Sequence, residues 1–212
     1  MQYPLVELVT GLVFVFVFQT IAGAVAINSI AFNLDTILIG FSILTLLVSF
    51  CSLIIIFVYD LYHKIIPDEW SLIFAVSSLM FFLIQYHSFE NLSSPTYFWR
   101  HIAAGPLLFL PFYGLWKYSD GRWIGLGDGK LAVGIGWLLG FSLGLSAIVY
   151  SFWIGAAFAC LLLIIQKIAK KNDITMKTEI PFGPFMIIAT FLTFNSEIPV
   201  LEFITIITDL FN

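Results

Sequence analysis

Apolar stretches of membrane-crossing length follow one another along this chain with little between them. A tilted helix needs roughly 20 apolar residues to cross the hydrocarbon. By that measure there are about eight candidate spans, at 5–27, 36–59, 70–86, 97–116, 129–139, 142–165, 183–194 and 200–210. Composition closes off an aqueous fold, because 60% of the residues are hydrophobic and 10% are charged, against about half and about a quarter in a soluble domain. In lipid each backbone N–H and C=O must be satisfied within the protein, which segments of this kind achieve as α-helices. The expected fold is therefore all-α: a polytopic transmembrane bundle, one membrane domain over residues 1–212.

Cations set its orientation. With eight crossings and both termini in the cytoplasm, Lys64, Lys117, Arg122, Lys130, Lys167, Lys170, Lys171 and Lys177 all fall inside, and only Arg100 lies at the outer end of a span. That is the bias expected of cytoplasmic loops. The first segment is read as a permanent span, since it carries Glu7 and Gln19 and lacks the basic start of a signal peptide. The net charge of -4 says little about partners, and no nucleic-acid partner is expected. The polar segment 166–180 is a basic loop that anchors topology or, alternatively, a lid over a site.

Against this background Asp60 and Asp128 stand out, each at the edge of a membrane-length apolar run. Ionisable groups so placed are functional suspects by default. Two carboxyls that share a proton are the minimal equipment for activating water against a peptide bond. The orientation model brings both to the cytoplasmic side without being built to do so.

Asp128 belongs to Gly125-Leu126-Gly127-Asp128, where the glycines let the chain bend and a neighbour approach closely. It opens a helix, and the plain alternative is a helix cap after a glycine turn. The span that follows, 129–139, would rise only about 16 Å, roughly half the hydrocarbon thickness. Either the bilayer thins there, or Asp128 lies at the floor of a water-accessible cavity. For Asp60 the alternative is a solvated loop acid near Lys64.

Other polar residues are read more plainly. Asp68, in Pro67-Asp68-Glu69-Trp70, looks like a helix start. Lys130 is expected to be a snorkelling, orientation-setting cation, since Gly129-Lys130-Leu131 is not a phosphate loop. Cys51 and Cys160 are small packing residues in apolar runs. His63 and His101 have no metal-ligand companion at useful spacing, and no metal site is expected.

Four blocks in this order resemble the type IV prepilin peptidases, a GxGD-type intramembrane aspartyl protease family. They are Tyr3-Pro4-Leu5-Val6-Glu7-Leu8-Val9-Thr10-Gly11, Asp60-Leu61 through Ile66-Pro67-Asp68, Gly125-Leu126-Gly127-Asp128-Gly129-Lys130-Leu131, and Ile180-Pro181-Phe182-Gly183-Pro184-Phe185. The resemblance implies a multi-pass enzyme of the bacterial inner membrane. It would cut the short, positively charged leader from prepilins and pseudopilins at the cytoplasmic face, serving pilus assembly, type II secretion or DNA uptake. It implies Asp60 and Asp128 as the catalytic pair, with Gly125, Gly127, Asp68, Lys130, Pro181, Gly183 and Pro184 in support.

Long bacterial relatives carry paired CxxC motifs ahead of the first block and often methylate the newly exposed residue. This chain begins at Met1, just before that block, and has no cysteine pair. It is expected to be either a short member or a shortened form. Proteolysis is expected to need no cofactor, and S-adenosylmethionine enters only if methyl transfer is retained, with Glu7 as a residue related to it or as a structural acid. The archaeal preflagellin and prepilin peptidases are the nearer alternative. A proton-coupled transporter is the more distant one, and would place acids near the bilayer midplane in an inverted repeat.

Overall fold

The computed structural model describes residues 34–88, 94–169, 181–196 and 198–200, with Glu7, Gly11, Val15 and Glu202 as isolated positions. The candidate spans 5–27 and 200–210, and most of the polar segment 166–180, lie outside these residues. All regular structure among the described residues is helical: α1 (Leu34–His63), α2 (Asp68–Ser88), α3 (Pro95–Ser119), α4 (Leu126–Ala169) and α5 (Gly183–Ser196). Three stretches, Ile37–His63, Asp68–His87 and Leu126–Ile165, are long and apolar enough to cross a membrane. Helix α3 is long enough at 25 residues, but Arg100, His101, Lys117 and its two internal prolines make it less apolar.

Helix α4 is not one rod. Gly140 has φ 77° and ψ -179° in its middle, a backbone region essentially confined to glycine. The chain reverses there. A Cβ at Gly144 would lie 3.5 Å from the Gly136 Cα and 3.6 Å from the Ile135 carbonyl oxygen, so the arms 126–139 and 141–169 run back along each other. Asp128 and Phe152, twelve residues to either side of Gly140, line the same cleft. In a straight helix they would stand about 36 Å apart. The boundary between the sequence spans 129–139 and 142–165 thus coincides with a real reversal.

The arms pack on α3 through small residues. Gly136 lies against the backbone of Ala104 and Gly105, a Cβ at Gly105 would stand 2.7 Å from the Trp137 indole nitrogen, and Gly144 lies against Leu108. Close helix approach of this kind is how apolar helices associate where lipid supplies no hydrophobic drive. Helices α1 and α2 are joined by a buried hydrogen bond of 2.7 Å between the hydroxyls of Ser49 and Ser77. The core between the helices is filled by Leu53, Ile56, Phe74, Leu131, Ile135 and Met186, each 1% exposed or less.

His101 and Trp137 repair two breaks at once. Pro106 has no N–H, so the Ile102 carbonyl loses its helical donor, and the Trp137 Nε1–H donates to that oxygen at 2.9 Å. The break at Gly140 interrupts the helical path from Phe141 back to the Trp137 carbonyl, and His101 Nε2 lies 2.9 Å from that oxygen. Only a protonated Nε2 can donate there. The His101 ring also stacks on Phe82, with centroids 3.7 Å apart and planes 4° from parallel. A histidine to which the sequence assigned no chemistry therefore ties α3 to the reversal.

Two stability changes follow. Gly140→Ala is expected to cost about 1–3 kcal/mol through the strained backbone, and Trp137→Phe about 1 kcal/mol through the orphaned Ile102 carbonyl. Equilibrium unfolding in detergent micelles measures both. Equal stability of Gly140→Ala and the native protein would rule out the reversal.

Candidate functional site

Five helix ends meet opposite the Gly140 reversal. Helix α1 stops because Lys64 takes a left-handed conformation, φ 55°, while its N–H still bonds the Asp60 carbonyl at 2.8 Å. Asp60 is thereby held in the last turn and faces inward, 4% exposed. The chain passes through Ile65 and Ile66 to Pro67, whose carbonyl accepts the Ser71 N–H at 3.1 Å as α2 begins.

Helix α3 ends on Asp120 at φ 50° and Gly121 at φ 75°, with the Gly121 N–H returned to the Trp116 carbonyl at 3.0 Å. Ser119 organises the connection that follows. Its carbonyl accepts the Arg122 N–H at 3.1 Å, and its hydroxyl accepts the Trp123 N–H at 3.3 Å. This compact turn delivers Gly125 and starts α4 at Leu126, with Asp128 in the first turn.

Asp60 and Asp128 face one cleft of about 830 Å³ and are near enough to interact electrostatically. Each is also held by backbone: Gly183 hydrogen-bonds Asp60, and Gly125 hydrogen-bonds Asp128. Pro181 and Phe182 line the cleft, and Gly183 and Pro184 are buried in the first turn of α5. Gly183 is packed directly on the Asp60 carboxyl, leaving no room for a side chain. The Phe182 and Phe152 rings, 4.7 Å apart, fasten this segment to the longer arm of α4.

The glycines of the Gly125–Asp128 tetrapeptide meet one part of the expectation, the close neighbour, and not the other, the special bend. Positive φ among the described glycines occurs at Gly121 and Gly140, so neither Gly125 nor Gly127 is needed for a left-handed turn. Gly127 is needed for space, since a Cβ there would stand 2.9 Å from the Ile66 Cβ. At Gly125 a Cβ would meet Asp128 Oδ2 at an ordinary 3.5 Å, and what this residue offers the site is its backbone.

Lys130 has a more specific place than an orienting cation. Its Nζ lies 2.6 Å from Asp68 Oδ1 at the mouth of the cleft, joining the first turn of α4 to the start of α2. Asp68 is the first residue of its helix, as expected, but this carboxylate oxygen is turned to Lys130. The pair is exposed, and such bridges contribute little to stability. Glu7 is helical and exposed, and the rest of its block apart from Gly11 lies outside the described residues. No group of three His, Cys, Asp or Glu side chains among the described residues could hold a metal ion. Cys51 and Cys160 are free thiols.

Ile66 and Phe152 are among the cleft residues that the sequence did not single out, as are Gly121, Trp123 and Ile124. Ile66 sits inside a quoted block but reads there as one more apolar residue. Nothing local marks Phe152, which reaches the cleft only because the chain reverses at Gly140.

A family model described as the type IV leader peptidase family matches residues 47–160. The match takes in Asp60, Asp68, Asp128 and Lys130. No curated protein and no solved structure matches the chain.

Adding bulk at Gly127 is expected to cost more than removing the surface ion pair. Gly127→Val should lower stability by about 1–3 kcal/mol through overpacking against Ile66, and Lys130→Met by less than about 1 kcal/mol. The reverse order in detergent unfolding would contradict this geometry.

Proposed function

Given that this chain belongs to the type IV leader peptidase family, we propose that Asp60 and Asp128 are its catalytic dyad and that its substrates are the leader peptides of type IV prepilins and pseudopilins. The observation that carries this is the convergence of the two acids, from the end of α1 and the start of α4, on one cleft. Two carboxyls facing each other share a proton. The ionised member holds a water and takes its proton as the oxygen attacks the scissile carbonyl, while the protonated member gives its proton to the carbonyl oxygen. Collapse of the tetrahedral intermediate breaks the C–N bond, and the leaving amine takes the proton abstracted from water.

Lys64, Arg122 and Lys130 lie at the cleft, and Arg100 lies in the second turn of α3, towards the other end. By the cation rule the cleft opens to the cytoplasm, where a leader peptide is presented before export. We take the bundle to cross the bacterial inner membrane about eight times with both termini inside. Asp68, Lys130, Pro181, Gly183 and Pro184 shape the cleft around the dyad. Proteolysis of this kind uses no cofactor, and S-adenosylmethionine has a place only if methyl transfer accompanies cleavage, with Glu7 the residue to examine. Acids at one end of the bundle rather than near its middle disfavour a transporter.

Asp60→Asn and Asp128→Asn are each expected to reduce leader cleavage by at least about 100-fold, the loss typical of a missing acid or base, with membrane insertion unchanged. Asp68→Asn should keep most of the activity, because Asn still starts a helix well. Incubating purified enzyme with leader-bearing prepilins and following the mass of the product gives the answer. Native turnover by either dyad variant would end the proposal, and inactive but folded Asp68→Asn would move the first catalytic position from Asp60 to Asp68.

A further inference from the structure

Ile66 lies in the short connection between α1 and α2, is 9% exposed and lines the cleft. Both segments that hold the aspartates press on it. A Cβ at Gly127, next to Asp128, would meet Ile66 Cβ at 2.9 Å and its Cγ1 and Cδ1 at 3.5 Å. A Cβ at Gly183, whose backbone bonds Asp60, would meet Ile66 Cδ1 at 3.3 Å. One side chain thus occupies the space that a Cβ on either glycine would need, and neither glycine has a side chain that could yield.

Its own position is fixed from both directions. The left-handed Lys64 ends α1 two residues before it, and Pro67, with its locked φ, follows it. Isoleucine is branched at Cβ and stiff at χ1, so the reach from Cβ to Cδ1 is a set length. Other core contacts, such as Phe74 on Gly134, press on one helix away from the cleft.

We propose that Ile66 is a positioning residue whose side chain acts as a spacer between the Gly127 and Gly183 backbones and thereby sets the separation of the Asp60 and Asp128 carboxyls. This rests on the dyad proposed above. Water held by one carboxyl attacks a carbonyl polarised by the other, and a misplacement of about 1 Å can cost about 100-fold in rate. Shortening the spacer lets the two backbones settle towards each other, which changes the chemical step and leaves binding of the leader along the cleft largely intact.

The test is a series at position 66, with kcat and KM for a prepilin substrate measured beside a thiol cross-linking assay. Ile66→Ala is expected to lower kcat by about 100-fold with KM within about twofold, and Ile66→Val, which keeps the branched Cβ against Gly127 but loses the Cδ1 that faces Gly183, should lower kcat by about tenfold. In a Cys51→Ser/Cys160→Ser background, Asp60→Cys/Asp128→Cys should be bridged best by a different length of bis-maleimide cross-linker when Ile66 is replaced by Ala. A purely structural role would instead raise KM, lower the folded fraction and leave the preferred length unchanged, and that pattern overturns the proposal. Should Ile66→Ala not fold, the Val variant carries the test: a loss of kcat with KM and preferred length both native would count against a spacer. The cross-linking arm needs no activity, so its result stands whatever the aspartates do. Native turnover in Asp60→Asn would sink the dyad, whereas an inactive Asp60→Asn beside fully active Ile66→Ala and Ile66→Val would sink only the spacer.

Discussion

The chain returns Phe152 and Gly183 to the end of the bundle that holds Asp60 and Asp128 because it reverses within α4, and that reversal depends on a single glycine at φ 77°. Carried straight on, the helix would take residue 152 about 36 Å from residue 128. The segment leading into α5 would then start from the wrong end of the bundle and could not return to Asp60. With the reversal, the longer arm runs back to the level of Asp128, and Phe152 there receives Phe182 at 4.7 Å. The Phe152, Pro181 and Phe182 side of the cleft is thus a consequence of backbone geometry at a residue on the opposite side of the protein.

A reversal inside an apolar environment exposes backbone groups that water cannot satisfy. The protein answers with side chains from the neighbouring helix. Trp137 donates to the carbonyl that Pro106 leaves free, and His101 occupies the carbonyl at the Gly140 break. The two bonds run in opposite directions between α3 and the first arm of α4, so that one proline and one glycine, each a helix breaker, are satisfied by each other's neighbours. At the cleft end a comparable contact joins the Asp60 carboxyl to the Gly183 backbone. Helices there stop on left-handed residues, Lys64 and Asp120, and the connections carry exposed residues such as Lys64 and Ile65.

Much of this was legible in the sequence. Apolar runs and cations are local properties, so the helices, the short span before Gly140 and the common end for Asp60 and Asp128 could be read from them. The family blocks drew attention to Asp68, Lys130 and the Pro181–Pro184 turn for reasons that are not local. What stayed hidden depends on register between helices. The approach of Ile66 to Gly127, the pairing of Lys130 with Asp68, and the place of Phe152 all arise only once the arms lie side by side. A sequence marks a glycine but not the side chain that needs its space, and so the close approach expected at Gly127 cannot be traced to Ile66 from the sequence.

The unequal arms also explain where a hydrolytic centre can sit. Twelve residues of helix separate Asp128 from Gly140, a rise of about 18 Å, against about 30 Å of hydrocarbon. The shorter arm alone therefore does not cross the hydrocarbon. The longer arm continues past Phe152 for another 17 residues to Ala169, about 25 Å, and so walls one side of the cleft. Two carboxyls facing one cleft require polar surroundings, which Lys64, Asp68, Arg122 and Lys130 supply there. In the proposed function, a leader peptide entering from the cation-rich end would meet the Asp68–Lys130 pair before the proposed dyad.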